Sequence, residues 1–174
     1  MEEIKKLEDL DKEKEQGISY KIDKITDKIY LASLEGIKEN DYFKKENINS
    51  ILSISNDLPK SDLDKSINHK IIDIGDLYSE NIIKYFKECI EFIENNGKIF
   101  IHCKCGVSGS ATIVIAYLMR KTHSAFNETY LFVKKRRPEK DPNNGFRKQL
   151  NVFHTLFEEN NYDLNKINFE QIKV

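Results

Sequence analysis

The chain is short of most features that would place it in a special class. Its three cysteines are odd in number, and Cys103 and Cys105 stand one residue apart. That is no disulfide framework, and a reducing intracellular compartment is the expectation. With three prolines and seven glycines the chain has no stretch that reads as an internal linker, and no repeat is visible. No apolar run approaches the roughly 18 residues of a membrane-spanning helix. The N-terminus is charged, unlike a signal peptide. With 28 lysines and arginines against 29 aspartates and glutamates the net charge is −1, which gives neither a nucleic acid nor an acidic membrane a field to follow.

What is present suits one domain with its own core: 174 residues, 39% hydrophobic and 33% charged, the charge pointing to a heavily solvated surface. Residues 1–17 are almost all charged, and Ile4, Leu7 and Leu10 recur at threes. That is either a short helix that docks on the domain or a partner, or a solvated terminus.

The runs Ile22 to Ile25 and Ile29 to Leu31 read as a hairpin, and residues 34–46 as a helix with a ragged apolar face of Ile37 and Phe43. Strands are expected at Ser50 to Ile54 and Lys70 to Ile74. Ser79 looks like an N-cap and Gly97 like the residue past a helix end; between them Ile82, Ile83, Phe86, Cys89, Ile90 and Ile93 share one helical face. Another helix is expected to start at a Ser124 cap and stop before Pro138, and a last one to open at Pro142-Asn143 with the stripe Phe146, Leu150, Phe153 and Phe157. The segment from Asn160 is polar and carries little signal.

The stretch around which the rest is organised is residues 99–120. Ile99, Phe100 and Ile101 read as a buried strand, residues 103–109 as a tight loop of small residues, and Ala111 to Met119 as a helix apolar all round. Such a strand–loop–helix aims backbone N–H groups and the positive end of a helix at one point. The expected occupant is an anion: a phosphate, or the thiolate of Cys103 at the start of the loop.

These residues resemble the signature loop of the cysteine-based protein phosphatases, most closely the dual-specificity type, whose pattern is His-Cys, five residues, Arg, then Ser or Thr. His102, Cys103, Gly106, Val107, Ser108 and Ser110 match. Gly109 stands where the family has arginine. The resemblance spans roughly residues 20–158, taking in Ile29-Tyr30-Leu31 with Ser33, Phe132-Val133 with Arg136-Arg137-Pro138, Pro142-Asn143, Gly145-Phe146 and Gln149-Leu150. It implies an α/β fold with a central mixed, mostly parallel sheet flanked by helices. The division expected is an extension over 1–17, a phosphatase-type domain over 18–160 and a tail over 161–174.

The resemblance also implies roles. Cys103 is the expected nucleophile, the alternative being an inert buried cysteine. His102 orients the loop, Ser110 stabilises the thiolate as it leaves, and residues Lys104, Cys105, Gly106, Val107, Ser108 and Gly109 hold phosphate. Asp76 is the expected general acid, with Asp73 competing from inside the expected strand, and a solvated turn aspartate is the plain alternative for either. Asn143 braces the loop region. Arg136, Arg137 and Arg147 match structural positions, so no replacement for the missing guanidinium is assigned to them, and the flexible Lys104 ammonium is no geometric substitute.

Cys105 fills the loop or pairs in redox chemistry, with Cys89 a better partner than Cys103 on geometric grounds. His102, Cys103 and Cys105 are adjacent in sequence and rarely converge on one metal, so no metal and no cofactor are expected. Lys134-Lys135-Arg136-Arg137 reads as a basic helix end; it also fits a nuclear signal or a rim for acidic phosphopeptides. The expectation is a monomer, cytoplasmic or nuclear, acting on or binding phosphoproteins. It is either a slow dual-specificity phosphatase or a pseudophosphatase that binds without turnover.

Overall fold

The structure, a computed structural model, describes residues 22–58 and 63–174. The helix expected within residues 1–17 lies outside the described residues.

The centre is the strand that the apolar run Ile99-Phe100-Ile101 foretells. It extends over Ile99–Cys103, buried throughout, as a strand covered on both faces must be. We label the strands β1 (Ile22–Lys24), β2 (Ile29–Ser33), β3 (Ser50–Ile54), β4 (Asn68–Ile72) and β5 (Ile99–Cys103). They form one sheet in the order β1-β2-β5-β3-β4. β1 is antiparallel to β2, while β2, β3 and β4 run parallel along the sheet with β5 between β2 and β3. The sheet is therefore mixed and mostly parallel, as the resemblance implies.

Alternation along the strands divides the core in two. Ile99, Ile101 and Cys103 of β5, with Ile29, Leu31, Leu52 and Ile54, belong to the larger cluster. Phe100, with Tyr30, Ala32 and Ile51, faces the smaller one, covered by Ile37, Phe43 and Ile48. The helices are α1 (Asn40–Glu46), α2 (Phe86–Glu94), α3 (Gly109–Thr122), α4 (Phe126–Arg136) and α5 (Asn144–Glu159). Phe43 of α1 belongs to the smaller cluster, whereas the apolar residues of α2 to α5 build the larger. Period two along β5 thus turns Cys103 toward the side on which α3 begins.

Four expectations shift. The edge strand β4 starts at Asn68 and ends at Ile72, two residues earlier than the apolar pattern suggested. Its start tolerates an exposed Asn68 and a half-buried His69 that bonds Ser53, and the Ile74 amide folds back to the Ile72 carbonyl (3.1 Å) instead of continuing the ladder. Ser79 caps nothing. The Gln149 side chain takes the Glu80 carbonyl (2.8 Å) and the Ile83 amide (3.0 Å), so helix starts only at a short 3₁₀ turn, Ile83–Tyr85, before α2. Gly97 lies past the Asn95 end of α2 and does not cap it. Ser124 is likewise not a cap: α4 begins after Ala125. The six-residue face from Ile82 to Ile93 and the stripe from Phe146 to Phe157 are buried as expected. The final residues carry more packing than their polarity suggests, since Leu164, Ile167 and Phe169 return to the larger core.

Lys140 is the least comfortable residue in this fold. It is wholly buried, its Nζ has no hydrogen-bond partner, and it lies 4.0 Å from the Tyr130 ring centroid. Burial, with the charges of Lys134 and Arg147, lowers it to about 7 from the usual 10.5; Asp141 opposes this. Between those limits the unfolded chain holds a proton that the folded chain has lost, so stability rises with pH across that window. Below about pH 7 both states are protonated and the fold bears the full cost of a buried ammonium. We expect Lys140→Met to stabilise the protein most at pH 6 and to flatten the rise above pH 7, read by urea denaturation at a series of pH values. An unchanged pH slope would contradict this placement.

Candidate active site

The loop after β5 is built from its carbonyls outward. Lys104 O accepts from the Leu34 amide (3.2 Å), Gly106 O from Arg137 Nε (2.8 Å), Val107 O from the Asp141 amide (2.9 Å) and Ser108 O from the Thr112 amide (2.9 Å). In a trans peptide the N–H points opposite to the C=O, and among the described residues no peptide is cis. The N–H groups of Cys105, Val107, Ser108 and Gly109 therefore turn inward as the carbonyls turn out. α3 adds the positive end of a fourteen-residue helix at the same place. Amides arranged in this way can hold an anion.

Gly106 makes the ring possible. Its φ is +67°, and a Cβ there would stand 2.5 Å from the backbone of Ala32 and Ser33, so only glycine fits. Arg137 clamps the same point: beside Gly106 O, its guanidinium bonds Asp23 (2.6 Å) and Leu31 O (3.4 Å).

Cys103 is 8% exposed at the base of the ring. Its Sγ lies 3.1 Å from Ser110 Oγ in the first turn of α3, so the structure brings together the expected nucleophile and hydroxyl. His102 is fixed from behind. Its Nε2 is 2.6 Å from Ser53 Oγ, which is 2.7 Å from His69 Nε2. Burial lowers His102 to about 4, so the ring is neutral and takes no part as an acid near neutral pH.

The loop carrying Asp76 is pinned against the start of α5. A Cβ on Gly145 would stand 2.1 Å from Tyr78 O, a contact only glycine permits. Asn143 then does three things: its Oδ1 caps α5 at the Phe146 amide (2.9 Å), its Nδ2 donates to Asp76 Oδ1 (2.8 Å), and its backbone N–H donates to Ser108 Oγ (3.0 Å). One residue thus ties the aspartate to the loop. Asp76, Cys103 and Gly109 line a common cleft of about 130 Å³ with Ile54, Gly75 and Lys104. Asp73 is exposed and does not line it. A larger open groove of about 600 Å³ lies between Lys84, Glu88 and Phe169, with no cysteine, serine or threonine among the residues lining it.

The cations are engaged elsewhere. The Lys104 ammonium donates to Asp57 (3.0 Å) and is mostly exposed. Arg147 pairs with Asp141 and bonds Pro142 O (2.9 Å) and Tyr130 Oη (3.1 Å). Arg136 stacks 3.6 Å from the Phe132 ring centroid, and Lys134, Lys135 and Arg136 form the last turn of α4. Cys89 is buried in the core, where burial pushes its thiol far up, and Cys105 is exposed on the loop. Among the described residues no three His, Cys, Asp or Glu side chains group as metal ligands would.

The sequence alone gives no sign of the parts played by Ser53, His69 and Asp141. The histidine–serine contact joins residues far apart in sequence, and only the register of β3 with β4 and β5 brings them together. The Gly145-Phe146 pair belongs to the family resemblance, but the close approach of Gly145 to Tyr78 has no local sequence signal.

The family model for the dual specificity phosphatase catalytic domain matches residues 29–155. MAP kinase phosphatase with leucine-rich repeats protein 1 of Dictyostelium discoideum is 40% identical over 135 residues, which is 75% of this chain and 16% of that protein. The crystal structure of DUSP15 matches with a TM-score of 0.72 at 31% identity, covering 81% of this chain and 97% of the other. That of human tyrosine phosphatase-like serine/threonine/tyrosine-interacting protein gives 0.75 at 25% identity over 80% and 99%. The chain spans 16% to 20% of the length of the first curated relatives it matches. Among the described residues no helix is long and apolar enough to cross a membrane.

Proposed function

The chain belongs to the dual specificity phosphatase family, and on that premise we propose that it hydrolyses phosphotyrosine, phosphoserine and phosphothreonine in proteins through a phosphocysteine at Cys103, slowly because Gly109 replaces the phosphate-gripping arginine. The observation that carries this is the Cys103–Ser110 pair at 3.1 Å inside a ring whose carbonyls bond outward.

In this mechanism the Cys103 thiolate attacks phosphorus in line with the ester oxygen. The P–O bond breaks as the S–P bond forms, and Asp76 gives its proton to the departing alkoxide or phenoxide. Amides of the loop hold the equatorial oxygens. A water molecule, its proton taken by the Asp76 carboxylate, then attacks phosphorus. Sulfur leaves as thiolate, met by the Ser110 hydroxyl, and inorganic phosphate departs. Asn143 holds Asp76 in position from Oδ1, which leaves Oδ2 for the proton.

The second reading, a phosphoprotein-binding module without turnover, is favoured by Gly109 itself and by Lys104, whose charge is directed at Asp57. Asp76 distinguishes the two, since binding alone has no need of an acid. Asp76→Asn is expected to slow a phosphoserine peptide, whose leaving group needs a proton, at least about tenfold more than an activated aryl phosphate. Asp73→Asn is expected to leave both rates unchanged. Steady-state kinetics on the two substrates decides it: no turnover of either favours the binding module, and equal losses on both would show that Asp76 is not the acid.

A further inference from the structure

The substitution that removes the cation from the loop also leaves space beside the nucleophile. The cleft between Ile54, Asp76, Cys103 and Gly109 is about 130 Å³. At its floor are the inward amides and the positive end of α3; a phosphoryl group bound there brings close to two negative charges. Among the described residues lining the cleft the one cation is Lys104, 67% exposed and bonded to Asp57 at 3.0 Å. The rim carries one carboxylate: Asp76 lines the cleft, and its Oδ1 takes the Asn143 amide at 2.8 Å.

An anion cradle under a carboxylate rim fits a ligand that carries both signs. We propose that the cleft recognises a phosphomonoester that brings its own guanidinium: a phosphorylated residue with an arginine beside it in the peptide. The guanidinium lies over Gly109, between the Asp76 carboxylate and the phosphoryl oxygens. A planar fork suits the phosphoryl oxygens, which accept two parallel N–H bonds, with Asp76 at the rim as a neighbouring negative charge, whereas an ammonium supplies charge without that geometry. This inference rests on the phosphate-site reading above and deepens it to a substrate class.

The test uses peptides in which phosphonodifluoromethyl-phenylalanine replaces the phosphotyrosine, so that nothing is hydrolysed. The flanking residue is arginine, lysine, citrulline or alanine. Affinities are measured by calorimetry on the protein and on Gly109→Arg. We expect the arginine peptide to bind at least about tenfold more tightly than the isosteric, neutral citrulline peptide, with lysine between them. In Gly109→Arg the gap is expected to close to about twofold or less, because the space and the charge are then filled.

Equal affinity of the arginine and citrulline peptides overturns the proposal, as does a gap that persists in Gly109→Arg. If free guanidinium chloride restores the citrulline peptide and covalent arginine gains nothing over it, the cation comes from outside the peptide and the substrate class is wrong. Turnover of the matching phosphotyrosine peptides separates the two ideas. An arginine preference in binding with no turnover keeps the recognition and rejects the catalysis. Turnover without the preference does the reverse.

Discussion

Gly109→Arg should raise the turnover of an aryl phosphate at least about a hundredfold. Losing one oxyanion donor typically costs about 10²–10³ in rate, or about 3–4 kcal/mol of barrier, and a charged bidentate donor should be worth no less. The position is right for it: Gly109 is the first residue of α3 and lines the cleft with Cys103. The fit is tight but open to adjustment. A Cβ at residue 109 stands 3.0 Å from Ile54 Cγ2, so Ile54 must yield by a few tenths of an ångström. It sits at the end of β3 on the cleft wall, with space to turn into. Gly109 is the first residue of the helix, where the propensity gain of a helix interior does not apply, so the variant's stability follows from how far Ile54 yields. The gain should lie in kcat/KM and in kcat together, because the guanidinium grips most tightly as charge moves in the transition state. Equal activity of the two proteins would show that another cation already does this work.

Gly106→Ala should have the opposite effect and a comparable size. A side chain at φ +67° costs on the order of 1–3 kcal/mol by conformation alone, and the added Cβ would lie 2.5 Å from the Ala32 carbonyl and the Ser33 amide. Neither is a flexible side-chain end. The loop must lift from β2, which breaks the Arg137–Gly106 bond and turns the amides of Val107 and Ser108 away from the nucleophile. We expect at least about a hundredfold loss of turnover and a melting temperature lowered by roughly 2–4 °C per kcal/mol lost. Gly97→Ala is the control. There the added Cβ meets only Asn49 at 3.5 Å, an ordinary contact, and neither rate nor stability should move. Retained activity in Gly106→Ala would mean that the amides are not the phosphate ligands.

These two glycines show what is legible in a sequence and what is not. Strands β3 and β5 are legible because each is buried on both faces and is mostly apolar, Ile51-Leu52 with Ile54 in the one and Ile99-Phe100-Ile101 in the other. The stripe of α5 is legible because one face of a long helix repeats its period. β4 begins two residues earlier than expected because an edge strand needs little apolar surface. Ser79 and Ser124 looked like caps by residue type, but the first turn of a helix is set by tertiary partners, here the Gln149 amide reaching Glu80 and Ile83. The return of Leu164, Ile167 and Phe169 to the core has no periodicity to announce it. Within the site, Cys103, Ser110 and the loop glycines lie in one short stretch and can be found by pattern. Asp76 and Asn143 come from other segments, and their tie to the loop is a product of the fold. Ser53 and His69, which hold His102, are invisible until the strands are in register.

The central claim is that Cys103, held by Ser110 under the loop amides, forms a covalent phosphoryl intermediate. The direct measurement is acid quenching of the protein during reaction with a phosphotyrosine peptide, followed by intact-mass and peptide-level mass spectrometry. We expect the added mass of one phosphoryl group on Cys103, more of it in Ser110→Ala, where breakdown of the intermediate is slowed, and none in Cys103→Ser. Turnover that persists in Cys103→Ser, or a phosphoryl group found on any residue but Cys103, would contradict the account.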